Sequence, residues 1–300
     1  MAATSFSHRP SPLPSLVIPA PIASVAIDPQ EAGAGADLIN PHSPVQIIRG
    51  RENQVPFVLI EGGVAGTRRE ATRCGVSEIV RESGAAAGLN GTFFADASLR
   101  GEDNLLIGPS LCGNEPHAVL SPFDQRMALT GRPLVLLSTE RTRILPYNPE
   151  TMDTEAALRT RLPDLADAFL GGVWLVHNGI CADKDQIAAY QVRDADDFRR
   201  RAFFALMPDG RPCIGATTYV ASSTELARAL QSAGVQEAVL LDSGFSTSLV
   251  YRNKILVTGH TSPGIPSRPV PHAIVLFDKK LPTTTRNVAA MAGKLRLPLT

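Results

Sequence analysis

The sequence predicts an α+β fold: a mixed, mostly antiparallel β-sheet with several packed helices, held in a single main domain. Three observations carry this reading. Apolar runs of strand length recur along the chain, glycine-, asparagine- or aspartate-bearing turns separate them, and only a few segments show helical periodicity. No repeat at a fixed period organises the 300 residues. Lys+Arg and Asp+Glu both number 29, so there is no basic excess of the kind that accompanies nucleic-acid binding. With 44% hydrophobic and 19% charged residues the composition is that of a globular chain. No run approaches the roughly 18 apolar residues that span a bilayer, so no membrane span is expected.

Taken in order, residues 1–45 form a Pro/Gly/Ala-rich arm with eight prolines and four charged side chains, and Ser15–Ile27 is its one strand candidate, best suited to a sheet edge. A main domain follows over 46–280, and 281–300 form a tail. Val55–Ile60 reads as a strand, Val76–Ser83 as a helix and Ala86–Leu89 as a short strand running into Asn90-Gly-Thr-Phe-Phe94. Met127–Leu129 and Leu134–Leu137 read as a hairpin around Thr130-Gly-Arg-Pro133, and Leu158–Leu170 reads as a helix with Pro163 near its start or at a break. Val173–Val176 leads into His177-Asn178-Gly179, whose Asn-Gly pair is a strong hairpin signal. Ala202–Met207 and Cys213–Ala216 form a second hairpin around Pro208-Asp-Gly-Arg211. Thr224–Ala233 is a helix: Ser222 is its N-cap, Glu225 completes a capping box and Gly234 ends it. Val239–Leu241, the pair Leu249–Tyr251 and Ile255–Val257, and His272–Phe277 complete the strands.

The N-terminus lacks a basic start and a clean apolar stretch, so no export signal is evident and a cytoplasmic location is the default expectation. Cys74, Cys112, Cys181 and Cys213 are scattered, which predicts free thiols and no zinc cluster. No P-loop occurs, and Glu61-Gly62-Gly63-Val64-Ala65-Gly66 lacks the continuation of a dinucleotide site. Neither a cofactor nor a metal is expected, although dispersed metal ligands leave no local motif.

Chemistry concentrates in four polar turns adjoining apolar strands: Asn90-Gly91-Thr92, His177-Asn178-Gly179, Asp242-Ser-Gly244-Phe-Ser246-Thr247 and Ser267-Arg268-Pro-Val270. Asp242 stands at the rim of a buried strand, where desolvation can tune a carboxyl for acid or base work. The alternative is an Asx turn that merely closes the strand. Gly244, Ser246 and Thr247 offer amides and hydroxyls suited to an anion or a sugar hydroxyl, or they form an ordinary turn. Arg201 enters a strand, where a planar bidentate partner such as phosphate would suit it, whereas Arg199 and Arg200 read as a solvated face. His177 after its strand is a structural histidine or a weak ligand candidate. Gly244-Phe-Ser246-Thr-Ser248 also approaches a nucleophile elbow, without its final glycine and without a following helix.

These segments, in this order over residues 85–277, resemble the phosphodiester glycosidase family, bacterial members of which are often called exopolysaccharide biosynthesis proteins. The matching pieces are Asn90-Gly-Thr-Phe-Phe94, Gly171-Gly-Val-Trp-Leu-Val-His-Asn-Gly179, Arg201-Ala-Phe with Asp209-Gly-Arg211, Thr224-Glu-Leu-Ala-Arg-Ala-Leu230, Leu241-Asp-Ser-Gly-Phe-Ser-Thr247 and Arg268-Pro-Val270. Thr92, Ala202, Ser243 and Phe245 depart from the family pattern, two of them replacing glycines after the aspartate. The resemblance implies hydrolysis of a sugar-1-phosphodiester at the glycosidic bond, giving free sugar and a phosphomonoester. It implies catalytic roles for Asp242, Asn90 and Arg201, and binding of a small-molecule or glycan phosphodiester by Gly91, His177, Asn178, Gly244, Ser246, Thr247 and Arg268. Two other readings stay open: a noncatalytic carbohydrate- or phosphate-binding module, and a serine hydrolase using Ser246.

Overall fold

A computed structural model of the chain describes residues 35–95, 105–115, 118, 126–262 and 264–278. The strand expected at Ser15–Ile27 and the tail at 281–300 lie outside the described residues. Three sheets form, and every strand pair in them is antiparallel. The architecture is therefore mostly antiparallel β with a few helices, and the single mixed sheet expected from the sequence is replaced by three separate ones.

The largest sheet has the order β10-β9-β13-β11-β12-β3-β2, with β2 at Gln46–Glu52, β3 at Val55–Glu61, β9 at Trp174–His177, β10 at Ile180–Cys181, β11 at Ala202–Leu206, β12 at Pro212–Thr217 and β13 at Glu237–Leu240. The second has the order β15-β14-β5-β16-β4, from β4 (Val64–Cys74), β5 (Ala87–Asn90), β14 (Leu249–Tyr251), β15 (Lys254–Val257) and β16 (Val270–Phe277). The third, β1-β7-β6-β8, uses β1 (Ala36–Ile39), β6 (Pro133–Leu137), β7 (Arg141–Pro146) and β8 (Asp167–Leu170). Because β1 pairs with β7, the compact unit begins at Gly35, inside the segment read as an arm to residue 45.

Strand alternation assigns each side chain to a layer. In β11, Ala202, Phe204 and Leu206 enter a core shared by all three sheets, while Phe203 and Ala205 face the opposite side. There they meet Leu226 and Leu230 of helix α4 (Ser223–Ser232) and Ile187 of α3 (Lys184–Ala189). Likewise Ile274 and Leu276 of β16 face the shared core, and Ala273, Val275 and Phe277 pack under Val76, Ile79 and Val80 of α1 (Val76–Ser83). Strands buried on both faces read as continuous apolar runs, as these do. Phe204 meets Phe169 of β8 edge to face, with centroids 5.6 Å apart, and so joins two sheets. Phe204→Ala is expected to cost about 3–5 kcal/mol, measured by urea unfolding.

Local chemistry explains the ends of the elements. α4 carries the expected capping box, Ser222 accepting from the Glu225 amide and Glu225 from the Ser222 amide. Asn178 and Gly179 have φ +52° and +74°, which lets a two-residue turn close β9 onto β10.

Two expectations are corrected. Met127–Leu129 is a 3-10 turn rather than a strand, and β6 pairs instead with β7 and β8. The β6–β7 turn forms because the Ser138 hydroxyl accepts the amides of Glu140 and Arg141. The helix read across Leu158–Leu170 is α2 (Glu155–Arg161) followed by β8. Leu162 precedes Pro163 and is extended, at φ −142° and ψ 98°, which ends the helix there. All four cysteines are free thiols.

Candidate active site

The large sheet and the β4/β5/β14/β15/β16 sheet meet where β5 and β13 end. The segment after β13 crosses from one sheet to the other, and the Asp242 amide donates to the Gly91 carbonyl at 3.2 Å. Asn90, fully buried, clamps this crossing from beneath: its Nδ2 donates to the Asp242 carbonyl at 2.5 Å, and its Oδ1 accepts the Ser248 amide at 3.0 Å. Asn90 therefore fixes both ends of the 242–248 turn.

The two oxygens of Asp242 have different duties. Oδ1 accepts the amide of the next residue, Ser243, at 2.9 Å, whereas the Gly244 amide that an Asx turn would use donates to the Arg200 carbonyl. Oδ2 faces Nη2 of Arg268 at 3.4 Å. The same guanidinium donates to the Ser246 hydroxyl through Nε at 3.0 Å and Nη2 at 2.7 Å. Carboxylate, hydroxyl and guanidinium thus form one connected group. Burial pushes the Asp242 carboxyl above its ordinary range, and Ser246, Arg268 and the Ser243 amide pull it partly back. An acid and a cation held together at a partly open strand end can pair with an anionic ester and exchange a proton beside it.

Three residues near this group were not singled out as site residues in the sequence, although Phe94 closes the Asn90-Gly-Thr-Phe-Phe94 segment. Phe94 is buried, and the guanidiniums of Arg268 and Arg73 lie 4.8 and 4.6 Å from its ring centre, so both cations contact the one ring. His272, also buried, accepts the Thr92 amide on Nδ1 at 3.1 Å and so carries its proton on Nε2, which has no hydrogen-bond partner among the described residues. Burial, with a smaller contribution from Arg69, lowers its pKa to about 3. A Cβ on Gly91 would lie 1.9 Å from His272 Nδ1, so the imidazole occupies the space that glycine leaves. The β5–β16 pairing brings these groups together across 180 residues, and no local motif announces them.

Of the residues singled out in the sequence, Asn90, Gly91, Asp242, Ser246 and Arg268 come together. Gly244 and Thr247 belong to the turn itself. Gly244 has φ +67°, its amide donates to the Arg200 carbonyl, and the Thr247 hydroxyl reaches the same carbonyl. Arg201 does stand at the start of β11 and is buried. Its guanidinium, however, is directed at the backbone carbonyls of Asp194, Asp197 and Ala221 rather than at Asp242, Ser246 or Arg268. A buried cation needs such acceptors, and the loop over 194–197 supplies them. His177 and Asn178 lie at the other end of β13. His177 Nδ1 and the Asn178 amide both bind the buried Glu237 carboxylate, at 2.9 and 2.8 Å, and Trp174 Nε1 joins them at 2.9 Å. From Glu237 to Asp242 the chain advances about 3.3 Å per residue, so these two residues sit on a separate structural cluster. Ser246 is buried with its Oγ engaged by Arg268, an arrangement that opposes the nucleophile role. Among the described residues no three His, Cys, Asp or Glu side chains converge to hold a metal, and no helix is long and apolar enough to cross a membrane.

At the ends of antiparallel strands an aspartate, a serine and an arginine converge into one candidate site. Comparison with known proteins narrows its class. The family model for phosphodiester glycosidase matches residues 83–277, and the chain belongs to the phosphodiester glycosidase family. Its fold is similar to the catalytic domain of zebrafish N-acetylglucosamine-1-phosphodiester alpha-N-acetylglucosaminidase, which is auto-inhibited by its pro-peptide: TM-score 0.59, 12% identity, covering 81% of this chain and 88% of that one. It is also similar to a hypothetical protein from Synechocystis, with TM-score 0.53, 15% identity and coverage of 80% and 68%. No curated protein matches.

Proposed function

We propose that the protein is a hydrolase of a sugar-1-phosphodiester, cleaving the glycosidic bond to release free sugar and a phosphomonoester, within one α+β catalytic domain. The observation that carries this reading is the Asp242–Ser246–Arg268 group at the sheet junction. Family membership supplies the reaction class and the group supplies fitting chemistry. Arg268 binds the phosphodiester anion and stabilises the charge that gathers on phosphate as the C1–O bond breaks. Asp242 faces the anomeric carbon, where its carboxylate stabilises the oxocarbenium-like centre or takes a proton from the attacking water. Water adds hydroxyl to C1, and phosphate departs as the monoester. A phosphate leaving group needs little acid assistance, so one carboxylate at the reacting carbon suffices. Asn90 and Gly91 act as positioning residues through the turn they clamp, and Arg201 acts by securing the loop beside it.

The test is turnover of a panel of sugar-1-phosphodiesters, GlcNAc-1-phospho-alkyl esters among them, by the intact chain and by Asp242→Asn and Arg268→Gln. Release of free sugar that Asp242→Asn abolishes supports the proposal. Binding of the diesters without any turnover would overturn it in favour of a noncatalytic module.

The acidic limb of the pH profile gives a sharper prediction. Arg268 lowers the Asp242 carboxyl against the opposing effect of burial, so its removal raises that group further. Arg268→Gln is therefore expected to move the acidic limb of kcat/KM to higher pH. A limb that stays in place would show that another group controls it.

A further inference from the structure

Arg200 reads in the sequence as part of a solvated face, and the structure uses it otherwise. Its neighbours are pinned: Arg199 and Ala221 exchange both backbone hydrogen bonds, at 3.2 and 2.9 Å, and the Arg201 amide donates to the Thr217 hydroxyl at 2.9 Å. From this fixed base Arg200 reaches two segments. Its carbonyl accepts the Gly244 amide at 2.8 Å and the Thr247 hydroxyl at 3.0 Å, which seats the 242–248 turn. Its Nη1 donates to the carbonyl and the hydroxyl of Thr258, at 2.6 and 3.3 Å, and these bonds are charge-assisted. Arg200 Nε is buried without a hydrogen-bond partner among the described residues, and burial lowers the pKa of the guanidinium. A cation kept only for solubility would stay in water, whereas this one gives up hydration for the contact with Thr258.

Thr258 leads to Arg268. The Gly259 amide donates to Ser267 Oγ at 3.0 Å, and that hydroxyl donates in turn to the Thr247 carbonyl at 2.6 Å. Arg268 comes next, its amide on the Phe245 carbonyl at 2.8 Å and its guanidinium on the Ser246 hydroxyl. A Cβ on Gly259 would lie 2.3 Å from the Gly244 carbonyl oxygen, so the two segments touch main chain to main chain and a shift in one is felt by the other. Of the three consecutive arginines, Arg199 pairs with Asp194 and Asp197, and Arg201 turns to the carbonyls of Asp194, Asp197 and Ala221. The link to the site falls to Arg200.

We propose that Arg200 is a positioning residue that, through Thr258, holds Arg268 in register with Asp242 and Ser246 and so sets how tightly the site grips a phosphodiester. The proposal rests on the phosphodiester reading above and adds to it a residue that acts through others.

The test is a double-mutant cycle read by affinity. The methyl diester of GlcNAc-1-phosphate is titrated by calorimetry onto the Asp242→Asn chain, and onto the same chain carrying Arg200→Met, Arg268→Gln or both. Arg200→Met keeps an unbranched apolar stem and removes the guanidinium. With Arg268 present it is expected to weaken binding about five- to tenfold, and Arg200→Lys, which retains a donor for Thr258, is expected to fall in between. With Arg268 already replaced, Arg200→Met is expected to change affinity about twofold at most, because the two residues act as one unit. An equal loss in both backgrounds marks a merely structural role and overturns the proposal, as does no loss in either. If thermal unfolding shows that Arg200→Met does not fold, Arg200→Lys takes its place in the cycle with the same dependence on Arg268 at smaller size. Turnover of the same diester by the intact chain separates the two readings. Coupling without turnover overturns the hydrolase reading and leaves the role of Arg200 standing, whereas an Asp242→Asn chain that binds no diester overturns both.

Discussion

Asp242→Asn is expected to lower kcat/KM on a sugar-1-phosphodiester by about 10²- to 10⁴-fold, the range for removing a group that transfers a proton or faces the developing cation. The amide is nearly isosteric. Its Oδ1 still accepts the Ser243 amide, so the turn closes as before. The Asn90 and Ser248 bonds use the backbone of residue 242 and the side chain of Asn90, and the substitution leaves both in place. The loss therefore belongs to chemistry and not to folding, which thermal unfolding of the variant verifies. The Asp242→Asn protein also keeps Arg268 and retains affinity for the diester. If turnover persisted within tenfold of the parent, Asp242 would be reduced to a turn cap and the reacting carboxylate would have to be sought elsewhere.

Gly91→Ala is expected to be the most damaging single methyl group in the chain's described site. The added carbon would meet three atoms of the His272 ring, the nearest at 1.9 Å. A long surface side chain would swing aside, but this imidazole is buried and accepts the Thr92 amide. Relief requires displacing the ring, which breaks that bond, or moving the Gly91 backbone, whose amide donates to the His272 carbonyl and whose carbonyl accepts from Asp242. Overpacking of this sort costs about 1–3 kcal/mol, and losing a buried hydrogen bond adds about 1 more. Urea unfolding should register the sum, and activity should fall with it because the same backbone positions Asp242. His272→Ala beside Gly91→Ala supplies the control: the double variant should be less destabilised than the two single losses added together. Strict additivity would remove the steric account.

How much of this was readable beforehand depended on the range of the interactions. Ser222, Glu225 and Gly234 bounded α4 because capping is settled within one turn of chain, and Asn178-Gly179 marked its hairpin for the same reason. The Leu158–Leu170 stretch misled because an apolar run suits a buried strand as well as a helix. Pro163 was the local signal that the chain had to change conformation at Leu162. In the site, Asp242, Asn90 and Arg268 stood in turns whose polarity marked them. Arg201 carried the same surface signal, yet its guanidinium found acceptors in carbonyls that only the folded loop brings near. His272, inside an apolar strand, looked like one more core residue. Its purpose depends on Gly91, which β-pairing sets against it.

The buried imidazole under Gly91 also shapes how the protein tolerates acid. In the folded chain His272 takes a proton only near pH 3, whereas an exposed histidine does so near 6.5. Between those values the unfolded chain binds a proton that the folded chain refuses, so stability declines as pH falls through this window, at up to about 1.4 kcal/mol per unit. Asp242 acts in the opposite sense: its raised pKa means that the cost of burying its charge disappears on protonation, favouring the folded chain as the medium acidifies. One residue works as an acid fuse and the other as a partial buffer, and they lie on the two sides of the same glycine. Replacing His272 by a neutral isostere such as Gln should flatten the decline in melting temperature between pH 6 and 4, making a structural pin into an adjustable setting for the acidity the fold withstands.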